Sequence, residues 1–212
     1  ELRCLAHFMF PYDKAAYAEA VVNGEQSLGT DVHSLNMKAA GLPTRKKAKE
    51  FIYGFLYGAG DEKIGSIVGG DAKAGAKLKK QFLEAFPSLK KLKASVVKEA
   101  KEFGFIQGLD GRIIYIRSPH SALNALLQST GAVLSKRWML TIDQMLKGQG
   151  LSEDIQQVGF IHDELQFQCR ADLVDTLSGI CSEAMKMTER YYNFRCPLDA
   201  GVNVGANWKE TH

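Results

Sequence analysis

The stretch that most constrains the fold is residues 156–169, where apolar and polar residues alternate on both sides of His162-Asp163-Glu164. A period of two is typical of half-buried β-strands, so the sequence predicts two strands that turn back on each other at the His-Asp-Glu sequence. The alternating apolar residues are Val158, Phe160, Leu165, Phe167 and Cys169.

The predicted turn places two carboxylates, Asp163 and Glu164, next to each other. Adjacent carboxylates at a turn are well placed to hold a hard cation such as Mg²⁺. An ordinary solvated turn has the same composition, because acidic residues are common in turns. The local pattern alone leaves both interpretations open.

Positive charge is concentrated in the middle of the chain. Residues 36–101 contain 15 Lys or Arg against 6 Asp or Glu, whereas the rest of the chain contains 12 against 18. This asymmetry favours a polyanion partner for the basic segment and a metal ion for the acidic remainder. The alternative is a solvated lysine-rich face, which we prefer for Lys77, Lys79, Lys80, Lys90, Lys91 and Lys93.

Composition excludes several classes of protein. The 212 residues suffice for one large domain or two small ones, and they include no apolar run of the roughly 18 residues that a membrane span needs. The four cysteines have no metal-binding spacing, which predicts free thiols in a reducing compartment. They are Cys4, Cys169, Cys181 and Cys196.

A helix predicted over residues 45–57 combines an apolar face with an ordered polar stripe. Arg45, Lys49, Tyr53 and Tyr57 recur every fourth residue. Two cations near the positive end of the helix dipole would favour a triphosphate, and two aromatic rings further along could stack on a sugar and a base. Each residue also has a structural interpretation, since Arg and Lys are good helix formers and Tyr is often half-buried. The apolar face comprises Ala48, Phe51, Ile52, Phe55 and Leu56.

His33 lies in the first turn of another predicted helix, with Thr30 or Asp31 as its N-cap. A single His in that position is usually exposed, so the local pattern assigns it no function.

Residues 105–117 predict a hairpin around an Asp-Gly turn, and residues 122–146 predict a long helix. Arg117 precedes this helix, and Asn124 and Gln128 lie one turn apart on one of its faces. Such side chains can reach base edges in a minor groove, although each alone is more commonly a surface residue.

Two further elements are predicted towards the end of the sequence. Residues 171–191 fit a helix whose inward positions are Leu173, Leu177, Ile180, Ala184 and Met187. Residues 198–208 have strand and turn character, because Val202, Val204 and Trp208 alternate with polar or small residues.

Together these motifs resemble the C-terminal part of family A DNA polymerases, above all the phage replicative type. Arg45-x3-Lys49-x3-Tyr53-x3-Tyr57-Gly58 is similar to motif B of the fingers, and Ile161-His162-Asp163-Glu164 is similar to motif C of the palm. Glu1-Leu2-Arg3 resembles the end of motif A, whose pattern is Asp-x-Ser-x-x-Glu-Leu-Arg. Residues 117–128 resemble the segment that follows the primer-template minor groove.

The resemblance implies an α+β fold with two subdomains. Helical fingers would comprise residues 31–103, and a palm of antiparallel strands and packed helices would comprise residues 1–30 and 104–212.

The implied activity is template-directed transfer of a nucleotide from a dNTP to a primer 3′-hydroxyl in DNA replication, with two Mg²⁺ ions. By resemblance Asp163 would bind metal, Glu164 would support it, and His162 would lie near the primer terminus. Arg45 and Lys49 would hold the triphosphate, and Lys49 could also protonate the leaving group.

The resemblance assigns four more residues to the incoming nucleotide. His33 would contact the triphosphate, Tyr53 the sugar, and Tyr57 would lie near the templating base. Glu1 would limit the space beside the 2′ position and so exclude ribonucleotides. The implied DNA-binding residues are Arg117, Asn124, Gln128 and His162.

One departure from the family pattern is important. The aspartate that opens motif A would lie five residues before Glu1, and neither it nor the thumb and exonuclease regions are in this sequence. Asp163 and its neighbour alone form a poor site for two Mg²⁺ ions about 3.5–4 Å apart. Because the sequence also starts without Met, we expect a fragment or processed product, inactive alone and completed by a second polypeptide.

Two alternatives remain at this stage. A single-subunit phage RNA polymerase shares the Lys-x7-Tyr-Gly spacing and a His-Asp pair, but Tyr53, Glu164 and Glu1 favour the DNA enzyme. A non-catalytic nucleic-acid-binding module is a second alternative, against which the intact Asp163 and the two cations of the stripe argue. The expected location is the cytoplasm, of a bacterial host if the chain is phage-encoded, with no membrane association.

Overall fold

The structure is a computed structural model that describes residues 1–211. Helices predominate and are accompanied by two antiparallel β-hairpins, so the α+β class is confirmed. The chain forms two compact units, the first comprising Glu1–Ser129 and the second beginning at Thr130. In the part of the chain that is described, no helix is both long and apolar enough to cross a bilayer.

Most predicted helices are present within a few residues of their expected bounds. The helices are α1 (Leu2–Asp13), α2 (Ala16–Val22), α3 (Val32–Ala40), α4 (Arg45–Leu56), α5 (Asp61–Ser66), α6 (Ala72–Ala85), α7 (Pro87–Phe103), α8 (Ala122–Gly148) and α9 (Val174–Tyr191). The strands are β1 (Phe105–Gln107), β2 (Ile113–Tyr115), β3 (Ile155–Ile161) and β4 (Glu164–Cys169).

Side-chain caps explain where the helices that carry candidate residues begin. Asp31 caps α3 by accepting a hydrogen bond from the backbone N–H of His33 at 3.1 Å. Thr44 caps α4 in the same way through the N–H of Lys47 at 3.3 Å. These caps satisfy backbone donors that have no partner inside the helix.

The apolar face of α4 forms part of the core of the first unit. All five residues predicted for that face are buried, and the rings of Phe51 and Phe82 meet edge to face with their centroids 4.9 Å apart. Burial of this face leaves the opposite face of α4 to the polar stripe, as the periodicity predicts.

Helices α5 and α6 approach each other so closely that only glycine fits at the contact. A Cβ added at Gly75 would collide with the carbonyl oxygen of Asp61, and one added at Gly65 would collide with that of Asp71. Because both obstacles are backbone atoms, they cannot move aside as a flexible side chain would.

The core of the second unit lies between α8, α9 and the hairpin β3–β4. Trp138 of α8 is 7% exposed, and its Nε1 donates a hydrogen bond to the carbonyl oxygen of Cys181 in α9 at 2.9 Å. Leu165 and Phe167 of β4 pack against this core. The four cysteines are free thiols, as predicted.

The hairpin β3–β4 is confirmed, but the predicted burial of β3 is wrong. Val158 is 61% exposed and Phe160 is 37% exposed. The register shifts between Gln157 and Gly159, so that Phe160 lies opposite Leu165. A β-bulge inserts one extra residue into a strand. This insertion moves every later side chain of the strand to the opposite face of the hairpin. Simple alternation in the sequence therefore does not describe β3.

Two smaller predictions at the end of the sequence are wrong. Residues 198–208 form no strand: Val204 is 61% exposed and the segment leads into a short 3₁₀ helix, Trp208–Thr211. Met187, predicted to face inward from α9, is 42% exposed, whereas Thr188 is fully buried. Thr188 is tolerated inside because its hydroxyl donates to the carbonyl oxygen of Ala184 at 2.9 Å.

Candidate active site

The polar stripe of α4 begins at the first residue of the helix and extends beyond its last. Arg45 and Tyr57 are separated by about 18 Å along the helix axis, at about 1.5 Å per residue. The rings of Tyr53 and Tyr57 are stacked, with their centroids 6.5 Å apart and their planes at 25°. Lys49 is exposed, and its side chain makes no hydrogen bond or ion pair within residues 1–211.

Arg45 is held by a carboxylate from the preceding helix. Its Nε and Nη2 both donate to Oδ1 of Asp31, at 3.1 and 2.8 Å. The second oxygen of Asp31 accepts a hydrogen bond from the hydroxyl of Ser34. Burial alone raises the pKa of Asp31, but the hydrogen bonds from Arg45, Ser34 and the His33 amide outweigh it, so the pKa falls to about 2.

His33 is half-buried, rather than exposed as its isolated position in the sequence suggests. Its ring centroid lies 6.4 Å from that of Tyr53, and its Nδ1 is a buried atom without a hydrogen-bond partner in the described chain. Burial, followed by the charge of Arg45, lowers the pKa of His33, so the imidazole is neutral near pH 7. His33 therefore lies beside the stripe as a neutral polar group.

Three candidate residues that are distant in the sequence meet at the end of the stripe. Oε1 of Glu1 accepts hydrogen bonds from the hydroxyl of Tyr57 at 2.5 Å and from Nε2 of Gln128 at 2.6 Å. The hydrogen bond from Tyr57 to Glu1, with burial as a smaller cause, raises the pKa of the phenol. We call Glu1, Tyr57 and Gln128 the carboxylate junction.

Two further residues predicted to bind DNA, Arg117 and Asn124, lie near the start of α8. Arg117 is exposed just after β2, and Asn124 is half-buried one turn before Gln128. All three belong to the first unit, together with the stripe and the junction.

The His-Asp-Glu sequence lies at the tip of β3–β4 in the second unit. His162 and Asp163 form the two-residue turn, whereas Glu164 is already the first residue of β4. His162 has a φ of 57°, a left-handed conformation that tight hairpin turns require and that His adopts more readily than most residues. Glu164 accepts a hydrogen bond from the side-chain amide of Gln166.

The donors at this tip suit part of a divalent-cation site. Asp163 is exposed, and its side chain makes no hydrogen bond or ion pair with the residues described. Carboxylate oxygens are the ligands that hard cations prefer. Within residues 1–211, however, no three His, Cys, Asp or Glu side chains cluster as a metal site would require. The described residues therefore do not complete a site for two cations.

Sequence reasoning missed Asp31 as part of the site. It was recognised only as a possible helix cap, because an N-cap explains an Asp at that position without further function. The contact that matters joins residues 14 positions apart, and no local periodicity reports such a contact.

Comparison with known proteins extends over nearly the whole sequence. Residues 1–210 match DNA polymerase family A. The chain is 45% identical to the DNA-directed DNA polymerase of Enterobacteria phage T3 and 43% identical to that of Escherichia phage T7, in each case over 100% of this chain and 32% of the relative. It therefore spans about a third of the length of these phage relatives.

A solved structure has a similar fold. The polymerase domain of Pol1 from M. smegmatis, in complex with DNA primer-template and dNTP, superimposes with a TM-score of 0.74 at 24% identity, covering 88% of this chain and 35% of that one. This likeness supports the fold, and the sequence match supports the family. The chain belongs to DNA polymerase family A.

Proposed function

We propose that this chain supplies the fingers and most of the palm of a DNA-directed DNA polymerase that transfers nucleotides from dNTPs to a primer 3′-hydroxyl during DNA replication. The observation that carries the proposal is the carboxylate junction, where residues from three distant parts of the sequence meet at the end of the polar stripe.

The stripe changes from cationic to aromatic side chains along α4, which suits an extended ligand with an anionic end. Arg45 and Lys49 lie in the first two turns of α4, where the backbone N–H groups add positive potential, and these residues would bind the triphosphate. The neutral imidazole of His33 would supply a further hydrogen bond. Lys49, which is exposed, would also donate a proton to the departing pyrophosphate.

The remaining part of the ligand would contact the aromatic half of the stripe. Tyr53 would lie against the sugar and Tyr57 near the templating base. Glu1 is fixed by two donors, so it would form a rigid wall beside the 2′ position of the sugar and exclude ribonucleotides. Arg117, Asn124 and Gln128 would contact the primer-template minor groove.

Divalent metal ions, which we propose to be two Mg²⁺ ions, would activate the primer hydroxyl and neutralise the phosphates. Asp163 would contribute a carboxylate, with Glu164 beside it and His162 near the primer terminus. The described residues provide only part of such a site, so a further carboxylate would come from another region of the polymerase. We propose that the assembled enzyme acts in the cytoplasm of a bacterial host.

The test is intact-mass and subunit analysis of the native sample, followed by Mg²⁺-dependent primer extension on whatever copurifies. We expect extension only when the upstream polymerase region is present, and much faster incorporation of deoxy- than of ribonucleotides. Rapid extension by the 23.4 kDa chain alone would contradict the need for that region. Salt-dependent DNA binding without extension, even after the upstream region is added, would instead indicate a non-catalytic module.

A further inference from the structure

Behind the proposed triphosphate contacts lies a carboxylate that the family motifs do not include. We propose that Asp31 is a positioning residue, which fixes the guanidinium of Arg45 so that its outer edge faces a phosphate group. This inference rests on the proposed nucleotide site and names a residue that would act through Arg45 rather than touch the ligand.

The hydrogen-bond geometry divides the guanidinium into a held edge and an outer edge. Nε and Nη2 both donate to one oxygen, Oδ1 of Asp31. Within residues 1–211, Nη1 of Arg45 has no hydrogen-bond partner. Since a guanidinium carries five N–H donors in a fixed fork, the edge formed by Nη1 and the second hydrogen of Nη2 stays available for a phosphate. Asp31 and a phosphate can therefore bind Arg45 at the same time.

The carboxylate of Asp31 is fixed by contacts other than the one with Arg45. Its side chain is 9% exposed, against 39% for that of Arg45. Oδ1 also accepts from the N–H of His33, and Oδ2 accepts from the hydroxyl of Ser34. The carboxylate is thus fixed to the first turn of α3, and the arginine is ordered before any ligand arrives. Such preorganisation lowers the conformational entropy that the arginine side chain loses when a ligand binds.

Positioning and simple electrostatics predict opposite results when Asp31 is removed. Without this negative charge, the site becomes more positive, so a polyanion would bind more tightly if charge alone mattered. If orientation matters more, binding weakens although the site has gained positive charge.

Two substitutions separate the contact with Arg45 from the helix cap. Asp31→Ser and Asp31→Asn both preserve a good N-cap for α3. Serine is one bond shorter and cannot reach Arg45, whereas asparagine keeps an oxygen at the position of Oδ1. Each is compared with the wild type in an Arg45 background and in an Arg45→Gln background.

The experiment is isothermal titration of the complete polymerase with inorganic tripolyphosphate and with dGTP, with circular dichroism as a check that each variant is folded. Asp31→Ser should weaken tripolyphosphate binding about tenfold, the usual effect of losing a side chain that orients a ligand-binding group. Asp31→Asn should restore most of the affinity. In the Arg45→Gln background, Asp31→Ser should have no further effect.

Unchanged or tighter binding by Asp31→Ser would overturn the positioning role while leaving the proposed nucleotide site intact. Equal weakening in both Arg45 backgrounds would also overturn it, because the effect would then be structural. If the folded wild-type polymerase bound neither tripolyphosphate nor dGTP, the nucleotide site and the positioning role would both be wrong.

Discussion

The polar stripe and the hairpin tip carry the two halves of the proposed chemistry, and they are built in different ways. Arg45 and Glu1 are each held by side chains from distant parts of the sequence, 14 and 127 residues away in two of the contacts. Asp163, by contrast, is presented by a two-residue turn and has no side-chain partner in the described residues. The two ends of the stripe are therefore held by other side chains, whereas the hairpin tip would need further ligands to bind a cation.

The largest effect is expected at the hairpin tip. Asp163→Ala in the complete polymerase should lower the rate of primer extension at least about 10³-fold, because the carboxylate proposed to bind metal is lost. DNA binding should change little. The matched control is Asp143→Ala, which removes an exposed carboxylate whose only ion pair among residues 1–211 is with Lys147, at 2.8 Å. Substantial activity in Asp163→Ala would refute its role in metal binding.

A smaller effect, on selectivity, is expected in the stripe. Tyr53→Phe should leave synthesis fast but raise discrimination against nucleotides that lack the 3′-hydroxyl by about tenfold, the value of one hydrogen bond. Single-nucleotide incorporation of a dNTP and its dideoxy analogue measures this ratio. Tyr57→Phe is the control, because its hydroxyl is already engaged by Glu1. An unchanged ratio for Tyr53→Phe would exclude a contact with the sugar.

The turn itself provides a third comparison, based on stability. His162→Val should destabilise the hairpin by about 1–2 kcal/mol, because a β-branched residue tolerates a positive φ poorly, whereas His162→Gly should not destabilise it. Hydrogen exchange of the amides of β3 and β4 measures the difference. Equal protection in the two variants would show that the left-handed conformation is not required.

The smallest effect concerns pH and the cap of α3. Because the pKa of Asp31 is lowered from 3.8 to about 2, its charge stabilises the fold above pH 3.8, and this stabilisation is lost as the pH falls towards 2. Between pH 3.8 and pH 2, the free energy of unfolding measured in urea should therefore fall for the wild type by about 1 kcal/mol or less relative to Asp31→Asn. If the free energies of unfolding of the two proteins changed in parallel with pH, the charge of Asp31 would not stabilise the fold.

The sequence predicted best those features that depend on local periodicity. The buried face of α4 and the extent of the long helix α8 follow from apolar spacing. The motifs were sufficient to identify the family. The division into fingers and palm and the roles of individual residues stay predictions.

Features that depend on distant contacts or on register were missed. Nothing in the sequence indicates the bulge near Val158, and it leaves the side chains of β3 more exposed than predicted. The segment around Val202 and Val204 alternates like a strand but has no partner strand among residues 1–211, so it remains irregular. The pairing of Arg45 with Asp31 depends on how α3 and α4 pack, which neither helix reports alone.

The position of Trp138 has a spectroscopic consequence. The sequence contains two tryptophans, Trp138 and Trp208, and both belong to the second unit. Trp138 is buried against Cys181, and Trp208 is half exposed. Tryptophan fluorescence excited at the red edge of absorption therefore reports the environment of the second unit alone. Ellipticity at helix wavelengths is dominated by α1–α7 of the first unit. Denaturation curves recorded with the two probes would therefore coincide only if the two units unfold together.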